Sequence, residues 1–197
     1  MKKLESTWYN MTVVLTLISA IAGTALAYVN ETTKEPIANI KAQSLADGIR
    51  NVLNAETLKV QAIDTLSNQV IVYRTDKGCA VQASDGNAFG GTLTVLVGFN
   101  EQGCIQGYKV LESSETPGLG AKASFWFQKG QKGSVIGKNP GTDNLTVSKD
   151  GGEVDAITAS TITSRAFLRC VNAAYSSISG TETDAQSGAT KQAKGNK

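Results

Sequence analysis

The chain has 197 residues, 41% of them hydrophobic, with a net charge of +2, three cysteines and no histidine. Opposite charges are interspersed along it, which excludes the clustered basic footprint of a nucleic-acid-binding protein. Without histidine or a Cys-x-x-Cys pair, the chain alone builds neither a zinc site nor a four-cysteine iron-sulfur cluster, so any redox chemistry it performs needs an organic cofactor.

Residues 11–29 run without a charge, and about twenty such residues span a bilayer core as a helix. A cleaved signal peptide is the competing reading, since Lys2 and Lys3 precede the run and Ala25-Leu26-Ala27 resembles a cleavage site. The run exceeds the usual apolar core of a signal peptide, and Tyr28 suits an interfacial belt, so an anchor is expected. Lys2 and Lys3 favour a cytoplasmic residue 1–10 segment, although Lys34 and Lys41 follow soon after the span and reduce the bias.

Beyond the span, residues 30–178 supply roughly 150 residues, enough for one core and too few for two. Ile37, Ile40, Leu45, Ile49 and Leu53 recur mostly at helical steps, predicting an amphipathic helix with Pro36 in its first turn. Strand-like runs follow at 68–74, 79–83, 92–99 and 104–111. In the third, Leu93, Val95, Val97 and Phe99 alternate with Thr92, Thr94 and Gly98, the pattern of a half-buried strand with Leu96 as its exception. Asn100 to Gly103 would join it to the fourth as a hairpin. A short helix is expected over 121–128, its aromatics Phe125, Trp126 and Phe127 read as core. The expected fold class is α+β: a single domain with an antiparallel or mixed sheet and flanking helices, preceded by one transmembrane helix. Cys79 and Cys104 each follow a glycine at the start of a strand and could pair in an oxidising compartment, while Cys170 falls on a helical stripe.

Two motifs carry the functional reading. Glu115-Thr116-Pro117-Gly118-Leu119-Gly120 makes a tight turn at Pro117-Gly118, and Gly120 lets backbone approach whatever occupies the bend, such as a flat ring. Further on, Asp155-Ala-Ile-Thr-Ala-Ser160-Thr161-Ile-Thr163-Ser-Arg165 places hydroxyls at a helix start. Ser160 or Thr161 would be its N-cap, and unpaired N–H groups there welcome a phosphate. Arg165, one turn past Thr161, could fold back onto phosphate oxygens. Read on spacing alone, the hydroxyls are an ordinary cap and the glycine turn is only a turn. Phe167, Cys170, Val171, Ala174 and Ile178 then recur at three- and four-residue steps, the stripe of a docked helix. The tail, 179–197, has the composition of a disordered segment, with Lys191, Lys194 and Lys197 as solvated charges.

The second motif resembles the attachment pattern Asp-x-x-Ser/Thr-Gly/Ala-Ala-Thr/Ser of the covalent FMN-binding domain family. With the strand order from Gly90 to Leu111 and the Glu115–Gly120 turn, the resemblance extends to the G subunit of the Rnf-type ion-translocating electron transport complex, from the anchor to about Tyr175. It implies FMN joined through a phosphoester to Thr161, with Ser160, Thr163, Arg165, Glu115, Thr116, Pro117, Gly118, Leu119 and Gly120 around the cofactor and no independent catalytic site. Partners implied are the other membrane, iron-sulfur and flavin subunits of that complex, a flavin transferase for maturation, and membrane lipid. The place implied is the bacterial inner membrane, single-pass, with the soluble domain on the outer side. Departures from the pattern are Ser160 where Ala is more frequent, Ala159 where Gly is commoner, and Ser113-Ser114 where many relatives have a histidine. The tail string Asp184 to Thr190 also matches the attachment pattern, but with almost nothing apolar around it to bury a flavin; Thr161 is the expected acceptor. Two alternatives stand beside this reading: the C subunit of a sodium-translocating NADH:quinone reductase, and a membrane-anchored assembly or binding module without flavin.

Overall fold

The computed structural model describes residues 7–55, 57–66 and 70–180, in two compact units divided at Ser44/Leu45. The tail string ending at Thr190 lies outside the described residues.

The N-terminal unit is helical. Helix α1, Trp8–Val52, includes a segment long and apolar enough to cross a membrane, and its large side chains there, Leu15, Ile18, Ile21 and Leu26 among them, are exposed. The hydroxyls of Thr12, Thr16 and Thr24 donate to the carbonyls four residues back at 2.8–2.9 Å, so these three polar groups are satisfied within the helix. The break expected at Pro36 does not occur: Pro36 lies inside α1. Just before it, Thr32 and Thr33 spend their hydroxyls backwards, Thr32 on the Tyr28 carbonyl and Thr33 on those of Val29 and Asn30. Without a cap, nothing ends the first helix or begins a second.

The second unit is built on a five-stranded antiparallel meander: β1 (Val60–Leu66), β2 (Val70–Thr75), β3 (Gly78–Ala88), β4 (Gly91–Phe99) and β5 (Ile105–Glu112), in that spatial order. Of the two sheet types expected, only antiparallel pairing is present in this sheet. β1 was not legible in the sequence, because none of its side chains is buried and its apolar residues follow no alternation. β4 is buried on both faces from Leu93 to Phe99, not on one. Leu93, Val95, Val97 and Phe99 pack with helix α3 (Thr161–Ser179), while Leu96 faces a second cluster formed by Ile49, Val52, Leu53, Tyr73 and Ala80. The apparent exception in the alternation is thus the anchor of the opposite face. On that face Gly98 and Gly107 are register partners, and a Cβ on Gly98 would come within 2.3 Å of the Val52 carbonyl oxygen. The glycine pair leaves a bare lane on which the end of α1 rests.

On the α3 face, Phe127 stacks on Phe167 at 4.1 Å, and Tyr108 meets Phe167 edge-on at 4.7 Å. The Tyr108 hydroxyl donates to the Ala123 carbonyl at 2.7 Å and accepts from the Phe127 N–H, tying the short helix α2 (Ala123–Trp126) to β5. Burial raises its ionisation well above the ordinary tyrosine range, so it serves as a neutral strut. Of the three aromatics expected in the core, Phe127 is fully buried, Trp126 partly buried and Phe125 half exposed. The three cysteines are free. Cys79 pairs with Phe99, and Phe99 with Ile105, so β4 separates Cys79 from the segment holding Cys104. Two strand spacings, about 10 Å, exceed what a disulfide bridges.

Candidate functional site

Three segments meet at one end of the sheet: the β3–β4 tip, the Glu115–Gly120 turn after β5, and the start of α3. Glu115 joins the first two. Its Oε1 accepts the Gly90 N–H at 3.1 Å, and Gly90 approaches so closely that a Cβ there would fall 2.2 Å from the Ser114 carbonyl oxygen. This holds Phe89 at the tip with 70% of its surface exposed. Within the turn the Thr116 carbonyl accepts from the N–H groups of Leu119 and Ala121, and Gly118 takes φ 77°, a conformation glycine adopts at little cost. A Cβ on Gly120 would lie 2.2 Å from Glu115 Oε2 and 2.8 Å from Thr163 Oγ1. The turn therefore closes onto α3 only because position 120 has no side chain. Glu115 is 8% exposed, and its Oε2 is buried without a hydrogen-bond partner.

The start of α3 is shaped by hydroxyls facing inward. Ser160 is the N-cap residue, but its side chain makes no cap hydrogen bond; Ser160 Oγ and Thr163 Oγ1 pair at 2.9 Å instead. Ser164 Oγ donates to the Ser160 carbonyl and accepts the Ile157 N–H. Trp126 Nε1 donates to the Asp155 carbonyl at 2.8 Å, fixing the approach to the helix, and Ala159 turns the chain with φ 61°. With the N-cap hydroxyl spent sideways, the first N–H groups of α3 keep no side-chain acceptor, and the positive end of the helix is left for an external one.

Between these segments lies a cleft of about 350 Å³ lined by Phe89, Glu115, Thr116, Leu119, Gly120, Ala159, Ser160, Thr161 and Ile162, within the roughly 300–1,000 Å³ range of small-molecule sites. Of the ten expected site residues, the structure brings Glu115, Thr116, Leu119, Gly120, Ser160 and Thr161 to its wall. Pro117 and Gly118 form the exposed outside of the turn, and Thr163 is fully buried behind Ser160. Arg165 points elsewhere: its Nε and Nη2 donate to the two carboxylate oxygens of Asp150, both at 2.7 Å. Hydrogen bonding from Arg165 holds the Asp150 carboxyl below the usual range and raises Arg165 in turn. The Thr161 hydroxyl instead meets Lys149, whose Nζ donates to Thr161 Oγ1 at 3.5 Å. Sequence reasoning missed Phe89, Lys149 and Ile162. Only Phe89 left a trace there, as a lone aromatic among turn-forming residues.

The profile of the FMN-binding domain family matches residues 88–176, which enclose Phe89, the glycine turn and Thr161. The second unit therefore contains an FMN-binding domain, and its α+β fold agrees with that class. Among characterised proteins, the chain is 27% identical to the G subunit of the Na(+)-translocating ferredoxin:NAD(+) oxidoreductase complex of Acetobacterium woodii, over 87% of this chain and 93% of that one. It is 32% identical to the G subunit of the ion-translocating oxidoreductase complex of Cereibacter sphaeroides over 80% and 78% of the two chains, and 30% identical to that of Aliivibrio fischeri over 79% and 83%. The chain belongs to the family of G subunits of ion-translocating oxidoreductase complexes.

Proposed function

We propose that the cleft holds FMN, covalently joined through its phosphate to Thr161 Oγ1, and that the chain carries electrons within a membrane-bound, ion-translocating ferredoxin:NAD oxidoreductase. The observation that carries this reading is the position of the Thr161 hydroxyl, at the mouth of a ring-sized cleft and on the uncapped start of α3. The residues present fit the group. Phe89, Leu119 and Ile162 are apolar, 41–70% exposed and face one cleft, suiting the two faces of a flat ring. Gly120 lets the turn close on Glu115 and Thr163 at the cleft wall, and Glu115 Oε2 is a buried acceptor still lacking a donor.

Bound FMN supplies the electron transfer; the protein contributes attachment, orientation and exclusion of water. Thr161 offers the oxygen that forms the ester. A flavin transferase would exchange the threonine O–H and a phosphate P–O bond of an activated flavin donor for the new O–P bond, the proton leaving with the displaced phosphate. The net gain is one FMN less one water. The first N–H groups of α3 would hold a phosphoryl group there, and Ser160, tied to Thr163, holds that turn in place. A tether of this kind keeps the carrier at a high effective concentration beside its partners. Those partners are the membrane, iron-sulfur and flavin subunits of the complex, and the apolar part of α1 is a single-pass anchor in lipid that keeps the FMN-binding domain on the outer side of the bacterial inner membrane.

Co-expression of the full chain with a flavin transferase should give a band fluorescent on a denaturing gel and the stated mass gain. Thr161→Ala should abolish both. A dark, unmodified wild-type band under those conditions would refute covalent attachment, and loss of fluorescence in Thr190→Ala rather than Thr161→Ala would move the acceptor to the tail.

A further inference from the structure

A group esterified to Thr161 carries a negative charge, and the residue that helical spacing sets one turn beyond it, Arg165, is already engaged. Its guanidinium forms a two-point fork with Asp150, whose side chain is only 11% exposed. Asp150 closes the one-turn 3-10 segment Ser148–Asp150, and the residue before it is Lys149. The fork therefore ties the short turn bearing Lys149 to the helix bearing Thr161. The base of this turn is fixed as well. The N–H groups of Asp150 and Gly152 both donate to the Val147 carbonyl, Gly151 reverses the chain at φ 84°, and Val147 bridges to Val154. A Cβ on Gly152 would lie 2.1 Å from the Thr146 carbonyl oxygen, so the return strand is packed tightly against the outgoing one.

Held this way, Lys149 reaches across twelve residues to place its ammonium 3.5 Å from Thr161 Oγ1. A phosphorus bonded to that oxygen would carry its unesterified oxygens about 2.5 Å from it, within ordinary charge-assisted hydrogen-bond reach of the ammonium and with no backbone movement. We propose that Lys149 is the charge partner and positioning residue of the phosphoryl group on Thr161, and that the Arg165–Asp150 fork is the clamp that sets its place. The proposal rests on Thr161 as the attachment residue. It reverses the simplest sequence expectation: the arginine at helical spacing fixes a turn, and the lysine on that turn meets the anion. A lysine suits this position because its compact, mobile ammonium adapts to a phosphoryl group from one side.

The test uses the full chain in detergent, prepared with and without co-expressed flavin transferase, for wild type, Lys149→Gln, Lys149→Glu and Lys149→Arg. Intact mass establishes loading of each sample, and thermal unfolding gives the rise in Tm on loading. Lys149 is exposed, so all four proteins are expected to fold. At about 20 mM ionic strength the rise should be smaller by roughly 1–4 °C in Lys149→Gln, the scale of one exposed ion pair in a domain of this size. It should be smaller again in Lys149→Glu and retained in Lys149→Arg. The differences should close near 1 M salt, where the screening length falls to about 3 Å. Equal rises in fully loaded wild type, Lys149→Gln and Lys149→Glu at low salt would overturn the role of Lys149 and leave the attachment intact. A wild-type chain with no added mass would refute the attachment itself, and the proposal with it.

Discussion

Gly120→Ala should destabilise the FMN-binding domain, and removal of Glu115 should largely rescue it. The new Cβ would sit 2.2 Å from Glu115 Oε2, 2.8 Å from Glu115 Cδ and 2.8 Å from Thr163 Oγ1. Gly120 has no left-handed backbone to lose, so the cost is steric. Overpacking of this kind costs about 1–3 kcal/mol, partly offset by about 0.4–1 kcal/mol from the smaller freedom of alanine in the unfolded chain. The net expectation is a loss of about 1–2 kcal/mol. Glu115→Ala has two opposing effects. It removes the acceptor of the Gly90 N–H, which water can replace because Gly90 is exposed, and it removes a buried oxygen without a partner. Its own cost should therefore be small, about 0–1 kcal/mol. In the double variant only the contact with the Thr163 hydroxyl survives, so the combined loss should fall short of the sum by about 1–2 kcal/mol, well above the roughly 0.3–0.5 kcal/mol scatter of independent sites. Urea unfolding of the full chain in detergent, followed by Trp126 fluorescence in a Trp8→Phe background, measures all four corners of the cycle. Additive costs would refute the claim that the glycine turn closes on the Glu115 carboxyl.

Ala159 sits at φ 61°; glycine there should relieve about 1–2 kcal/mol of left-handed strain and give back about 0.4–1 kcal/mol in unfolded-state entropy, raising stability by about 0.5–1 kcal/mol. A lower urea midpoint for Ala159→Gly would contradict that account. The Arg165–Asp150 fork should be acid-sensitive. Because Asp150 is depressed in the fold, its contribution is fully present above the unfolded carboxyl value near 3.9 and is lost as pH falls through the lower folded value. The stability gap between wild type and Asp150→Asn should accordingly be constant from about pH 5 to 7 and shrink below about pH 4; a gap that widens on acidification would argue against the pair. Finally, iodoacetamide at pH 8 should label Cys79 and Cys104 in the folded protein and spare Cys170. The last is 1% exposed, and burial first, then Asp85, push its thiol up to about 12. Peptide mapping that finds Cys170 labelled as fast as Cys79 would show the helix stripe to be open.

What could be read from the sequence was whatever one periodicity or one special residue encodes. Four of the five strands, the hairpin at Asn100, the short helix after the glycine turn and the buried stripe of α3 each carry such a local mark. β1 does not, since it is fixed by pairing with β2 and buries nothing. The continuation of α1 through Pro36 escaped for a related reason: proline is a local signal, while the absence of a cap depends on where Thr32 and Thr33 send their hydroxyls.

The site divides along the same line. Thr161 and Gly120 announce themselves by motif, but their neighbours are chosen by distances that cross the fold. Phe89 arrives on a β tip whose Gly90 is bonded to Glu115, 25 residues further on, and Lys149 arrives from a turn twelve residues before Thr161. Arg165 shows why helical spacing misleads here. A guanidinium one turn beyond Thr161 can face an anion at the helix start or a carboxylate on the adjoining turn, and only the second choice neutralises Asp150, which the fold has already taken largely out of water. An uncompensated Asp150 beside an anionic attachment site would repel the very charge the helix start attracts. Pairing it with Arg165 removes that repulsion and leaves the Lys149 ammonium beside the Thr161 hydroxyl. The proposed attachment residue is thus written in the motif, while the charge proposed to receive its phosphate is written in a turn the motif does not include.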